Sequence, residues 1–138
     1  MNKANGISIK ASTDPLVFDK AAAMMAGTDP WKTLGMDGPR CRLAFEGPGK
    51  EIYIAFAGEE IAGFVVLQIT GSFRGYIQIL FVSESFRGQG LGTRLLYFCE
   101  ERTAAFSPNL FICVSDFNTG ALKLYLNYGF EKIGEIPD

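Results

Sequence analysis

Apolar and polar residues change rhythm several times along this 138-residue chain, and each change predicts an element. Ile7 and Ile9 alternate with polar neighbours, the two-residue period of a short strand. Asp14-Pro15 then offers an N-cap and a proline preset for the first helical turn, and a helix should run through Leu16, Phe18 and Met24-Met25 until Gly27. Residues 28–35 read as a loop, residues 38–45 as a short helix, and Gly47-Pro48-Gly49 as a break. Ile52, Ile54 and Phe56 resume the alternation, Gly58-Glu59 turns the chain, and Ile61 to Ile69 completes a hairpin. Tyr76 to Val82 is apolar on nearly every side, as suits a strand covered on both faces of a sheet.

A helix is predicted from about Gly90 to Phe106, with Leu91, Leu95, Phe98 and Arg102 along one face. A strand follows at Leu110 to Val114, a helix at Asn118 to Asn127, and a last strand at Phe130 to Ile136. The order β-α-(α)-β-β-β-α-β-α-β is that of a mixed α/β domain, and the length fits one domain over residues 1–138.

Composition narrows the functions. A net charge of −2 and a pI near 5.2, with no dense Lys/Arg cluster, argue against nucleic acid as a partner. No apolar stretch approaches the roughly 20 residues of a membrane span, and no signal peptide is visible, which predicts a cytoplasmic protein. Cys41, Cys99 and Cys113 are odd in number, form no CxxC pair and sit among apolar residues, so buried free thiols are expected and a metal site is not. Cys113 in particular, inside an apolar strand with no histidine to activate it, is expected in the core. The chain has no histidine at all, which removes every His-based triad, ligand set and general base.

The chemistry-bearing pattern is strand, then Arg87-Gly88-Gln89-Gly90-Leu91-Gly92-Thr93, then helix. Spaced glycines let the backbone turn its N–H groups towards a ligand, and the helix that follows aims its positive end at the same place. A pyrophosphate fits there, with Arg87 adding a charge-assisted contact. The dinucleotide fingerprint GxGxxG fails, because the third glycine comes one residue early at Gly92; this disfavours a nucleotide-dependent oxidoreductase. A P-loop fails as well, since Gly49-Lys50 is followed by Glu51.

Arg87, Gly90 and Gly92 match [Q/R]-x-x-G-x-[G/A], and Asn118-Thr119-Gly120-Ala121-Leu122-Lys123-Leu124-Tyr125 is followed by Gly129-Phe130. Together these resemble motifs A and B of the GNAT superfamily of N-acetyltransferases, and the element order resembles that family over nearly the whole chain. The resemblance implies a mostly antiparallel mixed sheet with a splayed central strand pair, flanked by helices on both faces. It implies acetyl-CoA as cofactor, with Leu80, Phe81 and Val82 along the pantetheine arm and Arg87, Gly88, Gln89, Gly90, Leu91, Gly92 and Thr93 around the pyrophosphate. Asn118 and Tyr125 would contact the arm, the Leu80 backbone N–H would serve as oxyanion contact, and Tyr125 would act as general acid on the departing thiolate.

The implied acceptor is a primary amine of a small molecule or peptide. The family's early-strand glutamate has no counterpart here, because the matching positions are Tyr76 and Gln78, and no residue is assigned as base. Glu84 and Asp116 read as solvated loop charges. That gap leaves a non-catalytic acyl-CoA-binding module as the alternative. Phe73, Arg74, Tyr76 and Gln78 are acceptor-site candidates. Trp31 has two readings, an aromatic wall for substrate or a plain hydrophobic anchor. The family fold usually adds a strand after the Gly-Phe strand, whereas this sequence stops at Pro137-Asp138, so an absent strand or a homodimer that covers the edge is expected.

Overall fold

The computed structural model describes residues 6–136. Strand β1 (Ile7–Ala11) leads into helix α1 (Pro15–Ala26), which begins as the sequence requires: Asp14 accepts a hydrogen bond from the Leu16 N–H at 3.0 Å, and Pro15 occupies the first turn. Helix α2 (Gly38–Leu43) is capped in the same way by Asp37, whose carboxylate accepts from the Arg40 N–H at 2.9 Å. Strands β2 (Lys50–Ala57) and β3 (Glu60–Gln68) form the expected hairpin, and β4 (Tyr76–Val82) continues the sheet. A single 3-10 turn at Glu84–Phe86 precedes helix α3 (Leu91–Thr103); β5 (Phe111–Ile112) and helix α4 (Thr119–Tyr128) complete the described elements.

The sheet order is β1-β2-β3-β4-β5, antiparallel except for the parallel pair β4–β5. One face packs against α3 and α4 through Val65, Leu67, Ile77, Leu91, Leu95, Leu96 and Tyr125. The other packs against α1 and α2 through Phe18, Phe45, Phe64, Val66, Ile79 and Phe81. There the aromatic rings form a continuous column: Phe18 on Phe45 at 5.3 Å, Phe45 on Phe64 at 5.6 Å, Phe64 stacked on Phe81 at 4.7 Å, and Trp31 on Phe81 at 5.9 Å.

Two expected elements change. The strand expected at Leu110 to Val114 shortens to Phe111–Ile112, because only these two residues find partners on β4 (Tyr76↔Phe111, Ile77↔Ile112). The strand expected at Phe130 to Ile136 does not form, since no neighbour pairs with it among the described residues, and Ile133 and Ile136 are more than four-fifths exposed. Pro137 and Asp138 lie outside the described residues. Helix α3 is also shorter than the expected span of residues 90–106: Gly90 is left-handed at φ +84 and caps the start, and tight turns follow Thr103. No described helix is long and apolar enough to cross a membrane.

Candidate active site: an unpaired strand edge and an amide nest

The site is built around β4, whose two edges are used differently. Along β3 the strand is paired over its whole length, with Val66 opposite Ile79 but Leu67 opposite Ile77. Gln78 is therefore the extra residue of a β-bulge. The side chains confirm the slip: Ile77 packs in the α3–α4 core and Ile79 in the α1–α2 core, although residues two apart in a regular strand share a face. The bulge bends β4 where its other edge loses β5. Beyond Ile77 nothing pairs with that edge among the described residues.

The register also tells which backbone groups face the opening. Ser83 N–H donates to the Ala62 carbonyl at 2.8 Å, in the same register as Phe64↔Phe81 and Val66↔Ile79. Hydrogen-bonded and non-bonded pairs alternate along an antiparallel ladder. Phe81 and Ile79 therefore bond to β3, while the N–H and C=O groups of Leu80 and Val82 point to the vacant β5 side. The Val82 carbonyl shows this directly, since it accepts from Arg87 Nε at 3.2 Å from that side. Of the three strand residues expected along the donor, Leu80 and Val82 present their backbones to the opening, and Phe81 is committed to β3 with its ring in the aromatic column.

At the end of β4 the chain turns through residues 83–90 into α3. The N–H groups of residues 88–93 meet no acceptor among the described residues. The first three residues of α3 lack intrahelical acceptors by geometry, and Gly88 (φ +73) and Gly90 (φ +84) adopt the left-handed conformation that brings the preceding amides to the same side. A Cβ at Gly88 or Gly90 would meet nothing within 4 Å, so the space above the loop is open. Gly92 does a different job. A Cβ there would lie 2.9 Å from Leu124 Cδ2, so this glycine lets α3 and α4 pack closely, a distinction the glycine spacing does not carry.

Leu91 is buried beneath the loop and Thr93 is exposed on α3. Gln89 folds back, Nε2 donating to the Ser85 carbonyl at 3.2 Å while Oε1 is buried without a partner. Arg87 is exposed, and its Nε anchors on the Val82 carbonyl, leaving the other guanidinium N–H groups available. These features fit an anionic diphosphate with an extended amide arm: several unmatched donors, a helix N-terminus, a free guanidinium edge and a strand edge for the arm to pair with.

Tyr125 lies in the α3–α4 core with Leu80, Val82 and Ile112 packed in the same cluster, and it is 8% exposed. Burial pushes its phenol up to about 12, so it stays protonated at neutral pH. Its hydroxyl makes no hydrogen bond among the described residues, which leaves a proton uncommitted. Asn118 caps α4, its side-chain oxygen accepting from the Ala121 N–H at 3.3 Å.

On the α1–α2 face of the opening stand Tyr76 from β4, Phe111 from β5 and Cys113 just beyond it, with the exposed Gln78 at the bulge. Ile77 and Ile112, the residues between them, point to the opposite core. Phe73 meets Phe111 edge to face at 5.4 Å, and Arg74 is exposed beside them. Burial, helped by a hydrogen bond with the Cys113 thiol, pushes the Tyr76 phenol up to about 12. Cys113 was expected in the core with the other thiols, yet Cys41 and Cys99 are buried and Cys113 is exposed. The strand that was to bury it ends at Ile112. Trp31 is half-buried against Phe81, some distance along β4 from this lip. Glu84 and Asp116 are exposed. Phe111 and Cys113 escaped the sequence reading because an apolar face at an unpaired edge is spelled like a buried one.

Comparison with known proteins identifies the family and the fold. A family model described as acetyltransferase (GNAT) family matches residues 20–130. An acetyltransferase of Agrobacterium fabrum is 41% identical over 61 residues, a stretch that covers 44% of this chain and 44% of that protein. A GNAT family acetyltransferase from Elizabethkingia anophelis, solved with acetyl-CoA bound, is 28% identical with a TM-score of 0.71 over 94% of this chain and 79% of its own. A protein from Bacillus halodurans described as a transcriptional regulator shares the fold, with a TM-score of 0.79 over 96% of this chain and 97% of its own at 22% identity.

Proposed function

Given that the chain belongs to the acetyltransferase (GNAT) family, we propose that it transfers the acetyl group of acetyl-CoA directly to a primary amine of a small molecule or peptide. The observation that carries this reading is the unpaired edge of β4, with Leu80 and Val82 facing outward, continuous with the unmatched amides of residues 88–93. The thioester supplies the activated acyl group. Leu80 N–H, aimed at the opening and without a strand partner, polarises the acyl carbonyl. Val82 pairs with the amide arm, and the N–H groups of residues 88–93 together with Arg87 hold the diphosphate. Asn118, at the start of α4, lines the arm. Tyr125 keeps its proton until the sulfur departs and then donates it, a role its raised pKa suits because the donor must be protonated throughout the working range. A reducing compartment such as the cytoplasm suits a chain whose three cysteines are free thiols.

Thermal unfolding with acetyl-CoA, and with NADH and ATP as controls, tests the reading. A ligand at about a hundredfold excess over its Kd stabilises the folded state by roughly 2.7 kcal/mol, and only acetyl-CoA should do so. Gly90→Asp, which places a carboxylate among the amides, should abolish that shift. No shift with acetyl-CoA would sink the donor assignment. A shift without thiol release towards any amine would leave a non-catalytic acyl-CoA-binding module.

A further inference from the structure

From the α1–α2 face of the opening we infer that the acceptor is a weakly basic amine carried on an aromatic ring, an arylamine, held by Tyr76, Phe111 and Phe73 and oriented by Gln78; this rests on the acetyl-transfer reading above. The point at which β4 and β5 part is the place where a nucleophile can approach an acyl group seated beside Leu80 from the face opposite α3 and α4. Four side chains meet it there: Tyr76, Gln78, Phe111 and Cys113. Phe111 is itself braced edge-on by Phe73 at 5.4 Å, and Phe73 is 60% exposed, an uncovered aromatic surface at the rim. A planar ring can lie against such a surface, where offset and edge-to-face contacts are favourable. Gln78, the exposed extra residue of the bulge, follows Tyr76 by two positions, and its carboxamide oxygen can accept from an amine N–H without taking a proton.

The electrostatics point the same way. None of these four side chains is a carboxylate, the chain contains no imidazole, and the acids nearest in sequence, Glu84 and Asp116, are exposed beyond the strand ends. The carboxylates of the α1–α2 layer are already engaged: Asp19 and Glu46 with Arg42, Asp37 capping α2, and Asp29 with Thr33. The charge at the rim is the cationic Arg74, which disfavours an ammonium ion. An alkylamine resembling the lysine side chain, with a pKa near 10.4, is neutral in only about one molecule per thousand or fewer at pH 7 and needs a base. An arylamine shares its lone pair with the ring and is neutral across that range, so it reaches the site ready to attack. Its nitrogen bonds to the acyl carbon as the carbon–sulfur bond breaks. The nitrogen then releases one proton to water, the departing thiolate receives one from Tyr125, which regains its own from water, and an anilide and free coenzyme A result.

Thiol release from acetyl-CoA would be measured with aniline, phenethylamine and spermidine. Aniline should give the highest kcat/KM at pH 7, unchanged between about pH 6 and pH 8, whereas phenethylamine turnover should climb about tenfold per pH unit below its own pKa. Phe111→Ala should raise KM for aniline about tenfold with kcat and the acetyl-CoA thermal shift retained, and Phe111→Tyr should restore it. Phe73→Ala, at an exposed position that leaves the fold intact, should raise the same KM several-fold. Preference for phenethylamine or spermidine at pH 7, or an aniline KM indifferent to both alanine variants, would overturn the arylamine assignment while leaving acetyl transfer in place. Acetyl-CoA binding with no turnover of any amine would overturn the transferase reading itself.

Discussion

The two edges of β4 differ in what their backbone groups are for. The β3 edge is closed: its ladder runs the length of the strand, and Gly63 on β3 lies so close that a Cβ would sit 2.5 Å from the Phe81 carbonyl oxygen. The β5 edge is open after two pairs, and the adjoining loop glycines, Gly88 and Gly90, face empty space. Glycine serves opposite ends on the two sides, contact on one and clearance on the other. Hydrogen-bonding capacity divides in the same way, spent on the fold at one edge and held for a ligand at the other.

The largest effect expected is on the open side. Tyr125→Phe should lower kcat by at least about a hundredfold, the lower range for a general acid. The unfolding midpoint should hold, because the hydroxyl removed has no protein partner; unchanged kcat would take Tyr125 out of the chemistry. On the closed side Gly63→Ala should cost about 2 kcal/mol of stability, since the strand backbone cannot yield to the new methyl group. Urea unfolding would read this as a lower midpoint at unchanged slope, and an unaltered midpoint would mean the two strands are not held as tightly as their register implies.

The smallest effect tests whether the closed side is braced from outside the strand. Arg102 of α3 grips Glu51 of β2 through two bonds of 2.7 and 2.8 Å, and Tyr53 donates to the same carboxylate. Hydrogen bonds from Arg102 hold the Glu51 carboxyl below the usual carboxylate range. A depressed acid stabilises the fold above its unfolded pKa and loses that contribution as pH falls through its folded value. Solvent reaches both partners, so Glu51→Gln should cost only about 1 kcal/mol at pH 7. The difference from wild type should begin to shrink as pH falls below about 4.3, where the unfolded glutamate takes up its proton, and should vanish only once pH has passed the lower folded value of Glu51. A difference that persists in acid would assign the loss to packing instead of charge.

Much of this was legible in the residues. Asp14-Pro15, the alternation on either side of Gly58-Glu59, and the loop from Arg87 to Gly92 each specify their structure locally, through a cap, a period or a backbone conformation. What escaped depends on pairing between distant segments. The bulge at Gln78 is hidden because β4 is apolar on both faces, so a slip of one residue leaves no break in its pattern. The brevity of β5 and the exposure of Cys113 follow from where β4 stops receiving partners, which neither strand spells out alone. Phe130 to Ile136 carries strand-like residues but has no neighbour to pair with among the described residues, and a strand without a ladder does not form.

Trp31 has one more consequence. It is the sole tryptophan of the chain, and its ring rests against Phe81, which sits in β4 between Leu80 and Val82. The protein thus contains a single indole, coupled through one ring to the strand whose far edge is open. Its emission reports on that strand unmixed with any second indole, so occupancy of the opening can be followed in the native protein by light, without dye, label or coupled assay.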